Sequence, residues 1–139
     1  MANNSKEEYI NISDVPESYQ RYLDEIYTIS HKKRGGWVSN KELAENLDVK
    51  PASVTGMIEK LQRADLILWK PRKAIRLTEK GKRIAIQLNE THELLHTFFE
   101  KVLKIDDKDL VEKISCEIEH HISIDVKNSL KKFLSNYLG

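Results

Sequence analysis

The chain has 139 residues, 32% charged and 40% hydrophobic, enough for one compact domain or two small ones with real cores. Its one cysteine, Cys116, excludes an intramolecular disulfide, and no apolar run approaches the roughly 20 residues that cross a bilayer. The N-terminus has no basic stretch leading into an apolar one, so a cytoplasmic protein with no membrane partner is expected.

The net charge of +1 hides an uneven distribution. Residues 1–30 carry two basic and six acidic side chains, residues 31–83 carry 14 and six, and residues 84–139 carry seven and ten. A basic middle between acidic ends suggests a segment that meets a polyanion, because phosphate contacts dominate nucleic-acid affinity.

Residues 1–15 are polar, lack sustained periodicity, and read as a flexible tail. From Pro16 a helical spacing begins with Tyr19, Tyr22, Leu23, Ile26 and Tyr27, and it ends before the basic, glycine-containing loop 31–36. Ser39 followed by Glu42 forms a capping box that opens a helix over 40–46, with Leu43, Ala44 and Leu47 inward. After the turn Asp48–Val49–Lys50, Pro51 occupies the first turn of a second helix, where its missing N–H has no helical partner to lose. That helix buries Val54, Met57, Ile58 and Leu61 and turns Lys50, Ser53, Thr55 and Gly56 outward. Two short helices around a tight turn, with small residues early in the second, match a helix-turn-helix whose second helix can sit deep in a major groove. Leu66–Trp69 and Ala74–Leu77 read as a β-hairpin around the basic turn Lys70, Pro71, Arg72, Lys73, which is the wing of a winged helix.

Beyond the wing the pattern is helical: one long helix over 79–103, a second over 107–121 burying Leu110, Val111, Ile114 and Ile118, and a third over 124–138 burying Val126, Leu130, Phe133, Leu134 and Tyr137. The fold class is therefore mainly α, a winged helix-turn-helix followed by an all-helical module. The domains fall at 1–15 (tail), 16–78 (winged helix) and 79–139 (helical module).

Four of the five histidines lie between 92 and 121. His92 and His96 share a helix face. Glu112, Cys116, Glu119 and His120 fall at i, i+4, i+7 and i+8, one narrow helical stripe. A carboxylate, a thiolate and an imidazole side by side suit a divalent transition metal. Leu110, Val111, Ile114, Ile118 and Ile122 fall opposite, so the stripe is expected off the main core face. The run His92–Glu93–Leu94–Leu95–His96 also matches a zinc-protease helix, with Glu93 as base and Glu112 or His120 as third ligand. So short a pattern recurs by chance, and the chain leaves little room for a substrate cleft, so no enzyme activity is expected.

The sequence resembles the DtxR/MntR family of metal-dependent repressors over about residues 16–138. The resemblance rests on YLDEIY (22–27), KELAENLDVKPASVTGMIEKL (41–61), LTEKGKRIA (77–85), THELL (91–95) and CEIEHHIS (116–123), and the length is similar to the short, two-domain branch. It implies a homodimer on double-stranded operator DNA, a corepressor role for Fe(II) or Mn(II), control of metal-homeostasis genes, and repression as the default. Zn, Co or Ni are possible substitutes. By position, Cys116, Glu119 and His120 match the primary metal site, and Asp24 matches an acidic ligand of the manganese-sensing branch. Glu17, one turn earlier, is a possible substitute. His92, His96 and Glu112 match a second site in which the latter two have exchanged ligand types. Arg21 departs from the pattern, standing where the family places a methionine or aspartate ligand; a cation there would repel a metal and compete for its ligands.

Base contacts are expected from Lys50, Ala52, Ser53, Thr55 and Gly56, with Pro51 and Ala52 against thymine methyls. Phosphate contacts are expected from Lys50 and Lys60, and from Lys70, Arg72 and Lys73 of the wing. Leu130, Phe133, Leu134 and Tyr137, or equivalents at 88–103, should seal the core and a dimer interface, undivided between the two. Two alternatives are a winged-helix regulator without metal control, signalled by Arg21, and a thiol redox sensor using Cys116.

Overall fold

In the computed structural model the described residues are 10–71 and 74–139; Arg72 and Lys73, both expected at the wing tip, lie outside them. The chain divides into two compact units, residues 16–85 and residues 86–139, the latter together with the segment up to Val15. No helix is long and apolar enough to cross a membrane.

In the first unit, α1 (Glu17–Ser30) buries Leu23, Ile26 and Ile29 at helical spacing, together with Tyr22 and Gln20. The chain turns through Gly35 and Gly36, both at positive φ (84° and 71°), which a side chain would strain. The capping box then opens α2 (Asn40–Leu47): Ser39 Oγ accepts from the Glu42 N–H at 3.1 Å, and the Ser39 N–H donates to Glu42 Oε1 at 3.0 Å. Asp48, left-handed at φ 57°, ends that helix and redirects the chain. Pro51 starts α3 (Pro51–Arg63), whose Val54, Ile58 and Leu61 are fully buried. Each such aliphatic side chain contributes about 1.5–3 kcal/mol on leaving water.

The wing consists of β1 (Ile67–Lys70) and β2 (Ala74–Leu77), antiparallel with Ile67 opposite Leu77 and Trp69 opposite Ile75. Val38 extends this sheet through two 2.8 Å backbone bonds with Ile75. Thr78 then caps α4 (Glu79–Thr97) by accepting from the Gly81 N–H at 3.1 Å, while its own hydroxyl donates to the Asp65 carbonyl at 2.7 Å. The long helix expected over 79–103 is not uniform. It closes in a π-helical turn, Phe98–Val102, where the Leu103 N–H reaches the Phe98 carbonyl five residues back.

In the second unit, α5 (Lys108–Ile118) is capped by Asp107 and continues as a 3-10 turn, Glu119–His121. Ser123 caps α6 (Ile124–Leu138). Residues 10–15, expected within a flexible tail, instead form a 3-10 turn over Ile12–Asp14. They pack in this unit, where the Gln87 side-chain amide donates to the Ile10 carbonyl at 2.9 Å and accepts from its N–H at 3.2 Å. The buried Lys127 ammonium is matched by Glu90 at 2.5 Å.

Four residues expected to be buried are not. Leu110, Val126, Phe133 and Tyr137 are about half exposed, whereas Val111 and Leu134 are buried. Periodicity locates an apolar face but not what covers it. Of the stripe expected off the core, Glu119 and His120 are buried, Cys116 is half-buried and Glu112 is exposed.

Candidate metal centre and nucleic-acid interface

The candidate metal-ligating side chains of the second unit come from α4 (His92, His96), from α5 (Glu112, Cys116) and from the 3-10 turn that follows it (Glu119, His120). His92, on α4, is the hub. Its Nδ1 lies 2.7 Å from Glu119 Oε1 and its Nε2 lies 3.2 Å from Glu112 Oε1. Donor atoms of His92, Glu112 and Cys116 all lie within 4.8 Å of one another. His96, one turn further along α4, places its Nε2 3.8 Å from Glu112, and His120 Nε2 is 3.8 Å from Glu119 Oε2. The tightening into a 3-10 turn at Glu119 carries the end of the stripe away from ideal α spacing.

The electrostatics of this group are one-sided. His92 is pushed up to about 11, first by its hydrogen bond with Cys116 and then by that with Glu119, against the opposing effect of burial. Both of its ring nitrogens face carboxylate oxygens, an arrangement that favours the protonated imidazole. Glu119 is 1% exposed and its Oε2 has no hydrogen-bond partner among the described residues. A buried carboxylate oxygen left in this way costs about 1–3 kcal/mol or more, unless a cation takes it up. Two imidazoles, a thiol and two carboxylates around such an atom fit a divalent transition ion. A metal held by His92 would require the neutral imidazole.

The structure brings His92, Glu112, Cys116, Glu119 and, at longer range, His96 and His120 into one neighbourhood. Glu100 joins its edge, 3.9 Å from His96 Nδ1; the i, i+4 spacing on one helix was the signal available for it. Glu93 is exposed and lines a different groove with Asn89, Thr97 and Lys131. Asp24 and Glu17 lie on α1 in the other unit. Arg21 engages the Glu17 carboxylate at 2.6 Å within that helix.

On α3 and its N-cap, Lys50, Pro51, Ala52, Ser53, Thr55, Gly56 and Lys60 are all exposed. A Cβ added at Gly56 would meet nothing within 4 Å, so this face is open. Lys70 of β1 is held over the Trp37 ring, 5.4 Å from its centroid. Arg76 of β2 also lies over that ring, at 5.1 Å. Trp37 as the platform for both cations was not foreseen, because its partners are far away in sequence.

The fold and the site thus define a winged helix-turn-helix protein with a second unit built to take up a divalent metal. The family model described as the iron dependent repressor, N-terminal DNA binding domain, matches residues 14–75. The model described as the iron dependent repressor, metal binding and dimerisation domain, matches residues 78–137. The HTH-type transcriptional regulator MntR of Shouchella clausii is 37% identical over 108 residues, 78% of this chain and 73% of that protein. An uncharacterised HTH-type transcriptional regulator of Methanocaldococcus jannaschii is 32% identical over 88% of this chain and 97% of its own length. Among solved structures, a manganese-dependent transcriptional repressor in complex with manganese is similar with a TM-score of 0.74 and 29% identity, over 84% of this chain and 52% of that one. The manganese regulator SloR is similar at 0.70 and 30%, over 84% and 53%. The chain spans about half the length of these solved structures. It belongs to the iron-dependent (DtxR/MntR) repressor family and is a metal-responsive, DNA-binding transcriptional regulator.

Proposed function

We propose that the chain represses metal-homeostasis genes as a cytoplasmic homodimer, with iron(II) or manganese(II) as corepressor and zinc, cobalt or nickel as substitutes. The observation that carries this reading is the buried Glu119 oxygen without a hydrogen-bond partner among the described residues, set among His92, Cys116 and His120. The proposed ligands all lie in the second unit: Cys116, Glu119 and His120 as the primary set, with His92, Glu112 and His96 beside them. The thiolate favours iron(II) over manganese(II), since softer ligands suit it better.

When bound, the ion would supply fixed positive charge beside Glu112 and Glu119, and His92 would hold it as the neutral imidazole. The half-exposed Leu110, Val126, Phe133 and Tyr137 form the face that meets the second copy. Phe133 is already organised for it, stacked on Tyr137 and edge-on to Phe98 with centroids 5.5 and 6.2 Å apart. DNA is read by Ala52, Ser53, Thr55 and Gly56, with Pro51 against thymine methyls. Lys50, Lys60 and the wing's Lys70, Arg72 and Lys73 take phosphates. Linkage then requires operator DNA to tighten metal binding by the factor that metal tightens DNA binding, about 5–150-fold.

The test is anaerobic fluorescence anisotropy with a fragment of the protein's own promoter region, in chelator and then with iron(II), manganese(II) or zinc(II). Metal should tighten binding in the wild type and have no effect in His120→Ala. Equally tight binding in chelator would overturn the corepressor role.

A further inference from the structure

A cleft of about 400 Å³ opens in the first unit, between the end of α1, the loop that follows it, β2 and the start of α4. His31, Lys33, Arg76 and Lys82 line it, alongside Tyr27 and Ser30. The four basic groups come from three stretches of chain, the loop after α1, β2 and the start of α4, and no aspartate or glutamate lines the cleft among the described residues. None of the exposed α3 residues at 50–60 lines it, so it is distinct from the major-groove face.

The cations are held in different ways. Lys33 is countered by Glu42 at 2.6 Å, and Lys82 by Glu79 at 3.8 Å, with both carboxylates outside the lining. Arg76 makes no ion pair among the described residues and is fixed by the Trp37 ring instead. A cation–π contact orients a guanidinium without cancelling its charge, leaving its donor fork available. A concave surface lined by one sign of charge focuses the field and concentrates counter-ions. The volume is within the range of small-ligand sites and exceeds what a single surface lysine would need. The left-handed Gly35 and Gly36 bring bare backbone to the cleft wall.

We propose that this cleft binds a phosphate-class oxyanion, with Arg76 as its principal ligand and Lys82, Lys33 and His31 in support. Two sources share that chemistry, a small phosphorylated molecule and a backbone phosphate of duplex DNA, and the experiment separates them. Trp37 is the reporter, since Arg76 lies on it and a Cβ at Gly35 would sit 3.7 Å from its ring.

Pyrophosphate is titrated into the full chain in metal-free buffer while the Trp37 indole N–H resonance is followed. In parallel, affinity for a non-operator duplex is measured against salt. Wild type is compared with Arg76→Gln and Lys82→Gln, each checked by circular dichroism and melting. A saturable Trp37 shift, weakened about tenfold or more by either substitution and with an unchanged DNA salt slope, identifies a small phosphorylated ligand. A slope reduced by about 0.9 for each charge removed, without a pyrophosphate response, identifies the duplex backbone. If Trp37 is silent and both slopes equal that of wild type, or if the variants respond as wild type does, the proposal is overturned. Lys82 is half exposed, so its variant carries the test should Arg76→Gln fail to fold.

Discussion

His92 Nδ1 and Glu119 Oε1 meet at 2.7 Å although 27 residues separate them, and this bond joins α4 to the turn that ends α5. It makes a buried carboxylate tolerable in the metal-free chain, because the imidazolium stands in the place of a metal cation. The second Glu119 oxygen is left over.

That relationship sets a proton inventory. The imidazole is raised from 6.5 to about 11, so its contribution to the stability of the metal-free fold is complete below about 6.5 and is lost as pH rises toward 11. Metal uptake must release this proton, so affinity should rise about tenfold per pH unit from this group alone. Calorimetry in buffers of different ionisation enthalpy should show about one proton fewer released by His92→Ala. An unchanged proton count would remove His92 from the binding event.

Gly56 separates stability from recognition. It is exposed, mid-helix, and has open space where a Cβ would go. Gly56→Ala should therefore raise unfolding stability by about 0.5–1 kcal/mol, read by denaturant titration. If Gly56 faces bases, operator affinity should fall in the same variant. A variant both more stable and equally tight on DNA would take Gly56 out of the contact set.

Gly81 should respond in the opposite sense. An added Cβ would come 2.1 Å from the Leu66 carbonyl oxygen, a backbone atom with little room to move. Gly81→Ala should cost about 1–3 kcal/mol through forced separation of α4 from the residue preceding β1, seen as a lower melting temperature. No loss would mean that the approach is looser than described.

The capping box gives an acid-side prediction. The Glu42 carboxyl is lowered, first by the Lys33 hydrogen bond and then by the Ser39 N–H. Its contribution is present above the ordinary carboxylate value and is lost as pH falls through the lower folded value. Glu42→Gln should cost about 1 kcal/mol at neutral pH and should flatten the acid dependence, compared by denaturation at neutral and acid pH.

Much of this could be read from the chain without coordinates. Local rules determine it. Ser39 with Glu42, and Pro51 at a first turn, act within one or two helical turns, so they fixed α2 and α3 almost to the residue. Two β-rich runs on either side of the basic turn 70–73 fixed the hairpin in the same way. The ligand types were equally legible, because His, Cys and Glu at i and i+4 declare their chemistry wherever the helix is placed.

Tertiary structure decided the rest. Periodicity could not show that Phe133 and Tyr137 stay half exposed while Leu134 is buried, since an apolar face reads alike whether covered by its own chain or a second copy. Nor could it show that His92, set apart in a second triad, reaches Glu119, Glu112 and Cys116 together, because spacing along one helix says nothing of its rotation toward another. The inward turn of Glu119 and its orphaned oxygen follow from that rotation and from the 3-10 turn. The basic cleft around Arg76 needed the loop after α1 to converge on β2 and the start of α4, about 40 residues further on, and only long-range packing brings them together.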